Sequence, residues 1–155
     1  METSIVCGVD GSPESSAALY VAAGMAERLG ARLVLAHVTE PASIQYAHAA
    51  RFGGTTIPGP VAVQEQMAAQ EETGERLLEQ TAAAAGVADA EQRVAIGFPA
   101  ELLADIAEEE NAELIVVGSR GRGAFKSAVL GSVSNSLVGF ARCPVLIVPP
   151  GATES

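Results

Sequence analysis

Short apolar runs alternate with stretches of helical period along this chain. Ser4-Ile-Val-Cys-Gly-Val9 is an apolar run suited to a strand buried on both faces. It ends at Asp10-Gly11, and Ser12-Pro13-Glu14 then supplies an N-cap, a first-turn proline and a first-turn acid. Ala18, Val21, Ala22, Met25, Ala26 and Leu29 follow as one helical stripe closed by Gly30. Arg32 to Val38 reads as the second strand. Composition turns to Ala, Glu and Gln from about Val61 to Ala85, predicting a long helix ended by Gly86. Gln92 to Gly97 reads as the third strand and Leu114 to Val117 as the fourth. Between them Pro99 opens a helix with Leu102, Leu103 and Ile106 inward. Glu108-Glu109-Glu110 close that helix at the unfavourable end of its dipole, which predicts a solvated, frayed terminus. A last helix runs from Ser132, its expected cap, through Val133, Leu137, Phe140 and Ala141, before the fifth strand Pro144 to Val148.

Strands separated by helices predict an α/β fold, a doubly wound five-stranded parallel sheet with helices on both faces. Residues 1–150 are expected to form one domain, with 151–155 a short flexible tail. Ligands of such sheets bind beyond the carboxyl ends of the strands, where strand order reverses. The loops Asp10–Ser12 and Gly118–Ser132 both lie at that edge. Thr39 to Pro60 breaks the alternation with Pro41, Gly53, Gly54, Pro58, Gly59 and Pro60 and exceeds ordinary connections in length. It is a functional flap or a partly disordered segment, with a short helix around Ile44 to Ala50 as an option.

Composition narrows the classes. The chain has 155 residues, 48% hydrophobic and 18% charged, enough apolar material for a core. No apolar run approaches the ~20 residues of a membrane span, and the opening residues do not resemble a signal peptide, so a cytoplasmic setting is expected. Cys7 and Cys143 lack CxxC spacing and read as reduced, buried thiols. A net charge of −10 argues against nucleic-acid and anionic-membrane partners. The charge is unevenly spread. Glu65 to Glu113 holds thirteen acids against Arg76 and Arg93, whereas Gly118 to Arg142 holds Arg120, Arg122, Lys126 and Arg142 with no acid. A basic loop in an acidic protein points to a local anion ligand, or else to pairing with the acidic helices.

That loop carries the most specific chemistry. Gly118 and Gly121, then Gly131-Ser132, follow directly on an apolar strand and precede a helix. Glycines let backbone N–H groups approach an anion, and the helix start adds unpaired donors and a positive dipole end. Two better-known phosphate motifs do not fit. A P-loop needs Lys directly after the second glycine, but Ala124-Phe125 separate Gly123 from Lys126. A dinucleotide fingerprint belongs on the first strand turn, which reads Asp10-Gly11-Ser12-Pro13. Neither GxSxG nor HExxH occurs. His37 reads as a satisfied core or edge histidine and His48 as an exposed loop residue, so no protein-built metal site and no catalytic residue is expected. Asp10 is either a turn former bonding its own backbone or a ligand contact.

The pattern Gly118-x2-Gly121-x9-Gly131-Ser132 resembles the nucleotide-binding signature of the universal stress protein family. Val9-Asp10-Gly11-Ser12, His37-Val38 and Cys143 to Val148 extend the resemblance over nearly the whole chain. It implies a Rossmann-like, adenine nucleotide alpha hydrolase-like fold with strand order 3-2-1-4-5. It implies ATP, or AMP or cyclic AMP, as ligand, with Mg²⁺ or Mn²⁺ able to accompany the phosphates. By the same resemblance Asp10 and the backbone of Val38 contact the adenosine end. Gly118 and Gly121 fold over ribose and phosphates, while Gly131, Ser132, Val133 and Ser134 hold phosphates. Members commonly form homodimers through the last strand, here Val145 to Val148. The function implied is a nucleotide-binding stress-response sensor or regulator. A slow ATP hydrolase or transferase on the same fold is the alternative, and an interaction scaffold built on the acidic helices is a third reading.

Overall fold

The computed structural model describes residues 2–53, 59–119 and 130–151. Five strands pair in parallel: β1 (Ser4–Gly8), β2 (Arg32–Thr39), β3 (Glu91–Ile96), β4 (Ala112–Gly118) and β5 (Val145–Val148). Their order is β3-β2-β1-β4-β5, as the resemblance implied. The chain winds one way from β1 to β3, then returns past β1 to add β4 and β5. Register places Cys7 beside both Leu35 and Val116, so β1 is the fully enclosed centre of the sheet. Ser4, Ile5, Val6 and Cys7 are all buried there.

Helices cover both faces because the inner strands β1, β2 and β4 bury apolar residues on both. On one face α1 (Pro13–Leu29) sets Ala18, Leu19, Ala22 and Ala26 against Ile5, Cys7, Leu35 and Val116, and α3 (Pro60–Ala84) adds Leu78 and Ala82. On the other, α4 (Pro99–Glu109) and α5 (Ser132–Phe140) pack Leu103, Ile106 and Leu137 on Val6, Val34, Ile115 and Val117. The expected α1 stripe holds for Ala18, Ala22 and Ala26, but Leu29 is 56% exposed and Ala17 and Leu19 are buried instead. A helix lying over a central strand buries a wider arc than one stripe. The segment after β2 contains α2 (Ala42–Ala50), which packs beside α3.

Small residues let the helices sit close. A Cβ on Gly74 would lie 2.9 Å from the His37 ring and from Val94, so α3 crosses β2 and β3 closely at that point. At Gly118 a Cβ would come within 2.8 Å of the Glu14 backbone, where the first turn of α1 rests on the end of β4. Gly30 takes φ +64 and closes α1, with its N–H bonded to the carbonyl of Glu27.

The end of α4 differs from the sequence expectation. It is an ion-pair hub at the amino edge of the sheet. Glu108 pairs with Arg142 at 2.7 Å and Glu109 with Arg93 at 2.5 Å. Glu110, its side chain only 11% exposed, bridges Arg93 and Arg32. The Arg93 guanidinium is held above its usual range, first by its hydrogen bond to Glu109. Arginines distant in sequence supply the positive charge that this helix end favours. Arg142 thereby follows the alternative of pairing with the acidic helices.

Both thiols are free. Burial in the sheet pushes Cys7 up to about 12, and burial raises Cys143 less strongly from its more open position. An unfolded thiol ionises near ~8.5. From there to about 12 the unfolded state has released a proton that native Cys7 keeps. Stability attributable to Cys7 is therefore complete at neutral pH and falls as pH rises through that window, by up to about 1.4 kcal/mol per unit. Denaturant melts from pH 8 to 11 should show a steeper decline for the parent than for Cys7→Ala; parallel curves would contradict the assignment. Two glycine substitutions should act with opposite sign in thermal melts. Gly118→Ala forces α1 off β4 and should cost about 1–3 kcal/mol. Gly24→Ala, in mid-helix with nothing within 4 Å of the new Cβ, should gain about 0.5–1 kcal/mol.

Candidate functional site

At the carboxyl end of β1 the chain leaves the sheet through a turn built from its own side chains. Gly11 takes φ +82. Asp10 Oδ1 accepts from the Ser12 N–H at 2.9 Å and from the Ser12 hydroxyl at 2.5 Å. Ser12 Oγ in turn caps α1 by accepting from the Ser15 N–H at 3.1 Å. The Ser15 hydroxyl donates to the Ser12 carbonyl and accepts from the Asp10 N–H. The turn-forming role of Asp10 is thus present, with its carboxylate half-buried at the sheet edge.

The end of β2 lies directly beside it. Val9 N–H donates to the Ala36 carbonyl at 2.8 Å, and His37 Nδ1 donates to the Val9 carbonyl at 2.6 Å. His37 is therefore a satisfied core histidine, as its sequence context suggests, and it ties the ends of β1 and β2 together. Val38 follows, its backbone in register with Ala95 of β3 and its side chain packed against the α4–α5 core.

On the other side of β1, strand β4 ends at Gly118 and Ser119. The Ser119 N–H donates to Val148 of β5, and its carbonyl accepts from the Gly131 N–H at 2.6 Å. Gly131, Ser132, Val133 and Ser134 are held at the start of α5 by that bond. The cap differs from the sequence expectation. Gly131 is the N-cap of α5, no side chain caps the helix, and Ser132 is its first residue with its side chain exposed. Val133 packs into the core. The Ser134 hydroxyl is buried and faces the carbonyls of Ser119 and Gly131, both at 3.1 Å, so it fastens the loop ends. Only a residue in extended backbone before the first turn can cap, and Ser132 has already entered the helix. Gly121 and the cations Arg120, Arg122 and Lys126 lie outside the described residues.

The structure therefore brings Asp10, Val38, Gly118 and Gly131 to Ser134 to one edge, across three adjacent strands. Adjacent strands stand about 4.8 Å apart, so the span from β2 to β4 is about 10 Å. An uncapped helix start beside Gly118 offers N–H donors and a positive dipole end to an anion. Two supports were missed in sequence: Ser15, visible as Ser12-x-x-Ser15 spacing, and Ser119, whose carbonyl role has no side-chain signal. Among the described residues no group of three or more His, Cys, Asp or Glu could hold a metal, so any cation accompanying phosphates would rely on phosphate and water oxygens. An open hollow of about 400 Å³ lined by Ala26, Arg32, Val87, Asp89 and Glu91 lies at the opposite, amino edge of the sheet. No described helix is long and apolar enough to cross a membrane.

The universal stress protein family model matches residues 1–149. A universal stress protein of Thermus aquaticus is 34% identical over 151 residues, spanning 96% of this chain and 99% of that protein. Among solved structures, a universal stress protein of Lactobacillus plantarum superposes with a TM-score of 0.73 at 22% identity over 94% of this chain and 97% of its own, a likeness of fold. A universal stress protein solved in complex with cAMP gives a TM-score of 0.62 at 26% identity, over 96% of this chain and 97% of that one. With the strand order, the family match and full-length relatives in agreement, this chain belongs to the universal stress protein family.

Proposed function

We propose that this protein binds an adenine nucleotide, ATP first among them, at the carboxyl edge of β1, β2 and β4, and acts as a stress-response sensor or regulator. The observation that carries the reading is the start of α5. It is an uncapped helix N-terminus, without an acid in its first turn, hydrogen-bonded to the end of β4 next to Gly118. The related protein solved with cAMP supports an adenine nucleotide as the ligand class. Phosphates would lie against the N–H groups of Ser132 to Ser134, with Gly118 and Gly121 giving backbone access. The adenosine end would lie towards Asp10 and the Val38 backbone. Mg²⁺ or Mn²⁺ would travel with the phosphates.

Binding without turnover is the reading favoured here. Asp10 is a carboxylate at this edge, and it is engaged by Ser12 in the turn. The competing reading is a slow ATP hydrolase, for which Asp10 would be the base. Phosphate release that scales with purified protein and vanishes in Asp10→Ala would establish that alternative. We also propose a homodimer through β5. That strand is an edge of the sheet, three of its four apolar residues are incompletely buried, and Val138 and Phe140 nearby are exposed.

Calorimetric titration with ATP, AMP and cyclic AMP tests the nucleotide reading, and absence of heat with all three would remove it. Gly131→Val separates ligand access from folding. Gly131 sits at φ −70 and ψ 166, extended backbone that a branched residue adopts without strain. The variant should lose at least about tenfold in ATP affinity, because the side chain enters the phosphate path, and a thermal melt of the same sample reads any folding cost of added bulk at this buried position. Parent-like affinity would show the cradle to be misplaced.

A further inference from the structure

Two residues beyond β3 the chain carries an exposed aromatic ring at the carboxyl edge of the sheet. Phe98 is 59% exposed in a chain with only four Phe, two Tyr and no Trp. It occupies the N-cap of α4, where Ser, Thr, Asp or Asn would satisfy a helix N–H, and no side-chain cap bond is made there. Its backbone, φ −78 and ψ 115, suits any residue. Phe at this position thus forgoes a cap and leaves more than half of its surface in water. A local rule broken without structural compensation marks a functional position.

Its placement says what the ring is for. The Gly97 N–H donates to the Thr39 carbonyl at 2.9 Å, fixing the residue before Phe98 against the end of β2. Val38 and Thr39 stand in register with Ala95 and Ile96. Phe98 therefore emerges at the carboxyl edge one strand spacing beyond Val38. From the start of α5 beside β4 to the end of β3 is three spacings, about 14 Å. That matches an extended nucleotide with its phosphates at α5. The two helix starts differ in charge: Glu101 occupies the first turn of α4. The first turn of α5 has no acid. A planar, uncharged base is the part of the ligand that suits an exposed ring.

We propose that Phe98 is a base-stacking residue of the nucleotide site, closing it on the β3 side. This rests on the nucleotide reading above and adds a specificity element to it: nucleobase-bearing ligands gain over bare polyphosphate.

The test compares ATP with inorganic tripolyphosphate, each with Mg²⁺, on the full chain. Phe98→Ala should weaken ATP by about 5- to 100-fold and leave tripolyphosphate affinity within about twofold. Its melting temperature should not fall, since the ring is exposed. Phe98→Tyr should retain ATP affinity, and Phe98→Leu should not restore it in full. Phe98→Trp creates the sole tryptophan, whose fluorescence should be quenched by ATP and not by tripolyphosphate. ATP binding indifferent to Phe98→Ala overturns the inference and leaves the nucleotide reading standing. Equal losses for both ligands also overturn it, because the residue would then act through the fold. A parent protein that takes up no ATP overturns both.

Discussion

The pairing of β1 with β4 is the constraint on which this molecule depends. β1 is the centre of the sheet, and the chain first winds away from it to β2 and β3 before returning to its other side. In open sheets of this kind the carboxyl edge at such a reversal is where ligands are taken up. The contact is close. Gly118 at the end of β4 leaves no space for a Cβ beside the backbone of Glu14 in α1. One glycine thus joins the turn after β1, the first turn of α1 and the loop that leads to α5. Its absence of side chain is first a packing requirement, and access for a ligand follows from it.

The surrounding hydrogen bonds hold this edge in a defined shape. Asp10, Ser12 and Ser15 lock the first turn, His37 binds the ends of β1 and β2, and Ser134 ties the start of α5 to Ser119 at the end of β4. What remains is a helix start without a side-chain cap, presented at a fixed distance from the ends of β1 and β2. The ion pairs gather at the other edge. There Arg32, Arg93 and Arg142 neutralise the glutamates that end α4. The edge proposed for the ligand and the ion-paired edge lie at opposite ends of the strands, so a nucleotide there would not compete for these arginines.

Most of the fold was legible because its signals are local. Apolar runs, Pro13 and Pro99 at helix starts, and Gly30 and Gly86 at helix ends mark the elements within a residue or two. Spacing alone set Gly118 and Gly131 apart as candidate site residues, and the family resemblance supplied the strand order that brings Asp10 and Val38 beside them. Failures came where a neighbour distant in sequence decides the outcome. Glu108 to Glu110 read as frayed because their partners Arg32, Arg93 and Arg142 lie up to 78 positions away. Ser132 read as a cap because only the backbone angles reveal that Gly131 takes that place. Phe98 drew no notice because exposure and strand adjacency are properties of the folded chain.

Amide hydrogen exchange with and without saturating ATP tests the central claim most directly, because it locates the ligand without presupposing a residue. A nucleotide at the carboxyl edge should slow exchange at Ser12 to Ser15, Val38 to Glu40, Ser119 and Ser132 to Ser134, and leave the amino edge around Arg32, Glu91 and Glu110 unchanged. Slowing confined to the amino edge, or none anywhere at saturating nucleotide, would contradict the account.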